Sequence, residues 1–129
     1  MDKLEYIPGD LVKFATNTYT IVNFEENFLY NKICYALIST NSTKTAFVAA
    51  RDILPIPITP EILEKNGWVK DKKDYINDSY HLHLCGKNDD RYSVYKVVND
   101  NIVWLTDVRN VSDLQHLLFG LGINHEMEV

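Results

Sequence analysis

Apolar and polar positions alternate in short bursts through the first 58 residues. Leu11, Val12 and Phe14 follow a Gly9-Asp10 turn, and Thr20, Ile21 and Val22 sit in YTIVNF after the polar ATNT. ICYALIS ends in the polar TNSTK, and AFVAA comes next. β-Branched and aromatic runs separated by turn residues roughly every eight to twelve positions predict the strands of a small barrel. RDILPI predicts a turn into a brief fifth strand. The spacing is that of an SH3-like small β-barrel, an architecture that hosts many unrelated functions.

The pattern changes at PIPITPEILEKNGW, residues 55–68. Thr59 is a good N-cap, and Pro60 suits the first helical position, where a missing N–H costs nothing. Ile58 and Leu63 fall at the two positions of a hydrophobic staple. Asn66-Gly67 ends the helix with Gly67 left-handed, and Trp68 lies where it can pack back on Leu63. A short helix of about six residues, specified at both ends, is predicted. Pro55 and Pro57 keep the segment before it extended.

KDKKDYIND then reads as a polar loop or an edge. SYHLHLCGK, RYSVYKVV and NIVWLTDV predict three strands joined by the turns GKNDD and NDN, an antiparallel β-meander. Ser112 to Gln115 has the form of a capping box, and Leu114, Leu117, Leu118 and Leu121 make one stripe of a C-terminal amphipathic helix. Gly120 and Gly122 end that helix. The class is therefore α+β: a β-rich SH3-like barrel over residues 1–58, then helix, meander and C-terminal helix over 59–129, packed with the first part as one compact unit.

Composition narrows the function classes. A 46% hydrophobic, 24% charged chain of 129 residues has the balance of a globular domain. Its formal charge of −5 disfavours sequence-independent nucleic-acid binding, and only Lys70, Lys72 and Lys73 cluster, diluted by Asp71 and Asp74. MDKLEYIPGD carries no apolar run of signal-peptide length, and no segment reaches membrane-span length. Cys34 and Cys85 are then reduced thiols of a soluble protein of the host-cell cytoplasm, and the sequons at Asn41, Asn77 and Asn110 are coincidental.

ILPIPITPEILEKNGW (53–68) and DLQHLLFGLGI (113–123) together carry a resemblance. The chain resembles small uncharacterised proteins of Bacteroides-type genomes, their phages and mobile elements. There a PI-P-L-T-P-E-I-L-E-K-x-G-F block follows a β-rich start, and an LQ-x-L-x-F-A-L helix closes the chain. Trp68 stands where that pattern has an aromatic, and Gly120 departs from its Ala. The matching residues cover about a fifth of the chain, and their order fits its length. The resemblance implies a phage or mobile-element accessory protein that binds and neutralises something of the host. It assigns no role to any residue.

Two constellations could carry metal or nucleophilic chemistry. On a strand, His81, His83 and Cys85 point to one face, and two imidazoles with a thiolate suit zinc. A half-buried strand with Leu82 and Leu84 as its apolar face explains the same pattern, so neither a metal nor another cofactor is expected. Cys85 with His83 could form a nucleophile and base, but neighbours along one strand face run side by side rather than aiming at each other. Cys34 sits in the apolar KICYAL and reads as a buried, inert thiol. The chain is not expected to be an enzyme.

Binding is the remaining class. Arg91, Tyr92, Tyr95, Trp104 and Arg109 lie on or beside adjacent predicted strands. Aromatic faces can stack on a base and Arg can fork onto phosphate, so these five are the candidate ligand-binding residues. The plainer account makes Tyr95 and Trp104 core residues and leaves both arginines solvated. The leading expectation is a non-catalytic sponge for a small nucleotide-derived host immune signal. The alternatives are a module that binds a host or virion protein, and a zinc site at His81, His83 and Cys85. Phe119 and His116 lie off the leucine stripe, and a homo-oligomer would cover exposed strand edges.

Overall fold

In the computed structural model, the described residues are 6–27, 32–39, 45–87 and 90–129, with the backbone alone for 24–27 and 32–34. The chain divides into two compact units, Met1–Ile56 and Pro57–Val129. Each contains one five-stranded antiparallel sheet, and the second also contains two α-helices, which makes the class α+β. No helix among the described residues is long and apolar enough to cross a membrane.

The first unit comprises β1 (Leu11–Phe14), β2 (Asn17–Asn27), β3 (Lys32–Ser39), β4 (Thr45–Ala49), a 3-10 turn (Ala50–Asp52) and β5 (Leu54–Pro55). Strand order is β4-β3-β2-β1-β5. Gly9, at φ 95°, turns the chain so that the Asp10 carboxylate accepts the Ile7 N–H at 2.9 Å, and β1 follows directly. The turn between β1 and β2 is only Ala15-Thr16, with Ala15 left-handed at φ 54°, so ATNT contributes two residues to β2. Tyr6, Val12, Ile21, Tyr35, Leu37, Val48 and Ile53 form the core, with Tyr6 and Tyr35 meeting edge to face.

The predicted barrel is not closed among the described residues. β4 and β5 are the two edges of an open sheet. β5 pairs with β1 only at Leu54 and Pro55, and Pro55, which has no N–H, cannot donate to a ladder. The predicted turn TNSTK, Asn88 and Asp89 of GKNDD, and the side chain of Cys34 lie outside the described residues.

The second unit begins with α1 (Pro60–Lys65), as the capping signals predict. Thr59 Oγ1 accepts the Ile62 N–H at 3.3 Å. Trp68 N–H donates to Leu63 O at 3.0 Å and Gly67 N–H to Glu64 O at 3.3 Å, with Gly67 at φ 86°, a Schellman stop. Ile58, Ile62, Leu63 and Trp68 are all buried, which supplies the docking that so short a helix needs.

The meander has five strands rather than three: β6 (Val69–Asp71), β7 (Asp74–Asn77), β8 (Leu82–Gly86), β9 (Tyr92–Val98) and β10 (Asn101–Val108), in the order β10-β9-β8-β7-β6. KDKKDYIND is thus a hairpin. Lys72, left-handed at φ 59°, makes its turn, and Tyr75 and Asn77 are buried on alternate positions. The polar composition hid two short strands whose burial comes from only two residues.

α2 (Val111–Gly120) is capped by Asn110, not Ser112. Asn110 Oδ1 accepts the Asp113 N–H at 2.9 Å, and Asp113 Oδ2 accepts the Asn110 N–H at 3.3 Å, a capping box two residues upstream of the predicted one. Ser112 instead donates its hydroxyl to Asn110 Oδ1 at 2.8 Å. Leu114 and Leu118 are buried as the stripe predicts, joined by Val111 and Gln115, while Leu117 and Leu121 are half-buried. Ile123 N–H to Leu118 O at 2.9 Å and Gly122 at φ 73° form a second Schellman stop, so Gly120 is the last helical residue.

The tail is tied down twice. Gln115 Nε2 donates to His125 O at 3.0 Å. Asn66 clasps the Glu128 backbone, donating through Nδ2 to its carbonyl at 2.7 Å and accepting its N–H through Oδ1 at 2.8 Å.

Candidate functional site: the open face of the meander

Cross-strand register sorts the meander's side chains onto two faces. On one, Tyr75, Leu84 and Val94 lie in line, with Leu82 and Val108 on the same side. All five are buried, and this is the face the unit uses as its core. The other face carries a continuous row through all five strands: Val69, Ile76, His83, Tyr95 and Trp104. No member of that row is fully buried, and its two ends are open, with Val69 67% and Trp104 56% exposed. Side chains directly opposite on neighbouring strands are about 5 Å apart, so the row is a contiguous strip of imidazole, phenol and indole flanked by aliphatic groups.

A second row on the same face runs Asp71, Asp74, Cys85, Ser93 and Asp107. Asp107 is its hub. Ser93 Oγ donates to Oδ1 at 2.7 Å, Trp104 Nε1 donates to Oδ1 at 3.2 Å, and Arg91 Nη1 donates to Oδ2 at 3.0 Å. The Ser93 and Trp104 hydrogen bonds, with Arg91 adding its charge, hold the Asp107 carboxyl below the usual carboxylate range against the opposing effect of desolvation. A bulge between Trp104 and Thr106 allows Trp104 and Asp107 to share a face although they are three residues apart.

The five predicted ligand-binding residues therefore separate. Arg91, Tyr95 and Trp104 come together on the open face. Tyr92 belongs to the opposite face, where burial, then Tyr75 and Asp90, raise its phenol. Arg109 lies past the end of β10, its backbone N–H donating to Asp113 Oδ2 at 3.0 Å beside the α2 cap. The plainer sequence reading, with Trp104 in the core, fails on its exposure, and Arg91 is not simply solvated because Asp107 holds it. Asp107 and Ser93 escaped the sequence reading. Their signal is a polar residue at a period-two position inside an otherwise apolar strand.

His81 does not join the strand face expected for it. It closes a turn with Asp78, donating its N–H to Asp78 O at 3.3 Å with φ 56°, and β8 starts one residue later. His83 and Cys85 remain on one face, as predicted. Burial, then the Asp74 carboxylate opposite, which also hydrogen-bonds the thiol, raises the Cys85 pKa and so favours its protonated form. Among the described residues no group of three or more His, Cys, Asp or Glu is arranged to hold a metal ion.

A shallow hollow of about 330 Å³ lies on the flank of this unit, between Thr106, Asp107 and Val108 of β10 and Asp113, His116 and Leu117 of α2. It is open, and the aromatic row does not line it. Comparison with family models, curated proteins and solved structures finds no significant match.

Proposed function

We propose that this is a non-catalytic binding protein of phage or mobile-element origin that works through the open face of the meander, and that its partner is a host or virion protein. The observation that carries the reading is the unbroken row from Val69 to Trp104, an apolar and aromatic strip exposed at both ends. Protein partners are met by flat faces with aromatic centres and polar rims, whereas small molecules are held in concave pockets. The rim here is acidic, with Asp71, Asp74 and Asp107 against Arg91, so the matching surface is an apolar patch edged by Lys or Arg.

Support for a non-catalytic role comes from Cys85, whose thiol is held by Asp74, and from His81, which is left-handed and lies in the turn before the strand that carries His83. The origin rests on the resemblance of residues 53–68 and 113–123. The SH3-like reading of the first unit rests on its strand order and on the 3-10 turn preceding β5. A free Cys85 fits the reducing host cytoplasm in which such a partner would be met.

One observation favours the nucleotide sponge as a second reading: an exposed indole is fixed beside a guanidinium, ready to stack on a base. Phosphate would have to displace Asp107 from Arg91, which weighs against it. The experiment is capture from host lysate on the immobilised chain, with Tyr95→Ala and Trp104→Ala as companions. The protein reading expects a stoichiometric partner that both variants lose. A partner retained by both variants, or nucleotide binding that quenches Trp104 with no protein captured, overturns it.

A further inference from the structure

The two edges of the meander are built differently. β6 is three residues long, contains Lys70 and Asp71, and runs into Lys72 and Lys73, which is how natural sheets protect an edge. β10 is eight residues long and carries no charge and no proline from Asn101 to Thr106. Ile102 is 65% exposed and Val103 47%. In a chain of net charge −5, this is a neutral stretch where two copies can approach without repulsion.

Val97 N–H donates to His81 O at 2.9 Å, away from β10. Val97 and its cross-strand partner Ile102 are therefore a non-hydrogen-bonded pair, and Ile102 turns its own N–H and C=O outward. Two residues on, Trp104 opposite Tyr95 has the same parity and also points its peptide groups outward. The Asn99-Asp100 turn agrees: both residues are left-handed, at φ 49° and 66°, as in a type I′ hairpin, whose flanking pair, here Val98 and Asn101, is hydrogen-bonded.

We propose that β10 pairs antiparallel with β10 of a second copy about a two-fold axis at Val103, joining two meanders into one continuous sheet. In that register Ile102 faces the partner's Trp104 and Trp104 faces the partner's Ile102, so every outward N–H and C=O of both residues finds a mate. Ile102 and Trp104 share the open face, so the two copies' apolar rows meet there. The bulge ends the pairing before Thr106, so Asp107 lies outside the paired stretch and no two carboxylates oppose within it. Sliding by two residues one way sets Asp100 against the partner's Trp104. Sliding the other way sets Ile102 against the partner's Thr106, beyond the Trp104/Thr106 bulge, where the ladder is broken. The same bulge limits the pairing to a few residues, which makes the association reversible. The pairing uses the strand edge and does not depend on the binding role proposed for the face.

Light scattering and sedimentation of the full chain test this, up to on the order of 100 μM protein, where a micromolar dimer is well populated. Wild type is expected to move, with rising concentration, toward twice its 14.9 kDa mass. Val103→Lys and Val103→Glu each place like charges across the axis at an exposed position and are expected to stay monomeric, with unfolding midpoints near that of wild type. Mixed in equal amounts, the two are expected to dimerise again. Ile102→Pro removes an outward donor without touching the pairing to β9, and it is expected to be monomeric too. Wild type monomeric throughout, a dimer that survives both charged variants, or a mixture that stays monomeric each overturns the proposal.

Discussion

Trp104 and Asp107 lie on opposite sides of a bulge in one strand and are joined by an indole N–H donated to Oδ1 at 3.2 Å. The bond fixes the ring of the most exposed aromatic on the open face. Asp107→Asn leaves an amide that cannot serve the donors of Ser93, Trp104 and Arg91 equally well. Trp104 emission is expected to broaden and gain mobility, while that of buried Trp68 stays blue-shifted. Time-resolved anisotropy of Trp68→Phe and Trp68→Phe/Asp107→Asn proteins checks this.

The same carboxylate sets a pH dependence. A carboxyl pKa lowered in the folded state contributes stability that is present above its unfolded value and is lost as pH falls through the folded value. The window therefore lies below the ordinary 3.8. Urea midpoints followed downward in pH are expected to fall less steeply there for Asp107→Asn than for wild type.

The two candidate caps of α2 make opposite predictions. Asn110→Ala removes the acceptor for the Asp113 N–H and is expected to cost about 1 kcal/mol, up to about 2. Ser112→Ala removes only a hydroxyl that donates to Asn110, and it is expected to cost less. Chemical denaturation of the two variants ranks them.

Two glycines give the same substitution opposite signs. Gly67 sits at φ 86°, so Gly67→Ala strains the α1 stop and is expected to cost about 1 kcal/mol, Gly67→Val more, although open space surrounds the new Cβ. Gly120 is helical with nothing within 4 Å of an added Cβ, so Gly120→Ala is expected to stabilise by roughly 0.5–1 kcal/mol. Thermal unfolding decides both.

The Cys85 thiol is expected to react with iodoacetamide more slowly than a thiol of ordinary pKa, and Asp74→Asn is expected to speed it by removing the charge and the hydrogen bond that favour the proton. Mass spectrometry of the Cys85 peptide over time measures the rate. Equal rates in wild type and variant count against the Asp74 contact.

Legibility in the sequence followed how local each signal is. α1 was readable to the residue because Thr59, Pro60 and Gly67 each act within one turn of their own position. The cap of α2 was misplaced because Ser112 and Asn110 both qualify by type, and only the reach of Asp113 back to Asn110 separates them. The hairpin of β6 and β7 was missed because Tyr75 and Asn77 are its only buried residues, too few to show alternation through five charged neighbours. At the site, Tyr95 and Trp104 were found by type. Their alignment with His83, Ile76 and Val69 depends on four successive registers that no sequence window contains. Tyr92 was assigned to the same surface because a two-residue period is decided only once a strand's register is known.

The clasp between Asn66 and Glu128 makes the last residues of the chain report on its first helix. The two are 62 positions apart, yet the Glu128 amide is shielded by the side chain that follows the α1 C-terminus. In hydrogen exchange, a tail without secondary structure ordinarily frays and exchanges at once. Here the Glu128 amide is released only when Asn66 lets go, so loosening α1 frays the end of the chain, and pulling on that end loads the helix stop. One amide side chain thus couples the last residues of the chain to the C-cap of α1, beside the Gln115–His125 tie to α2.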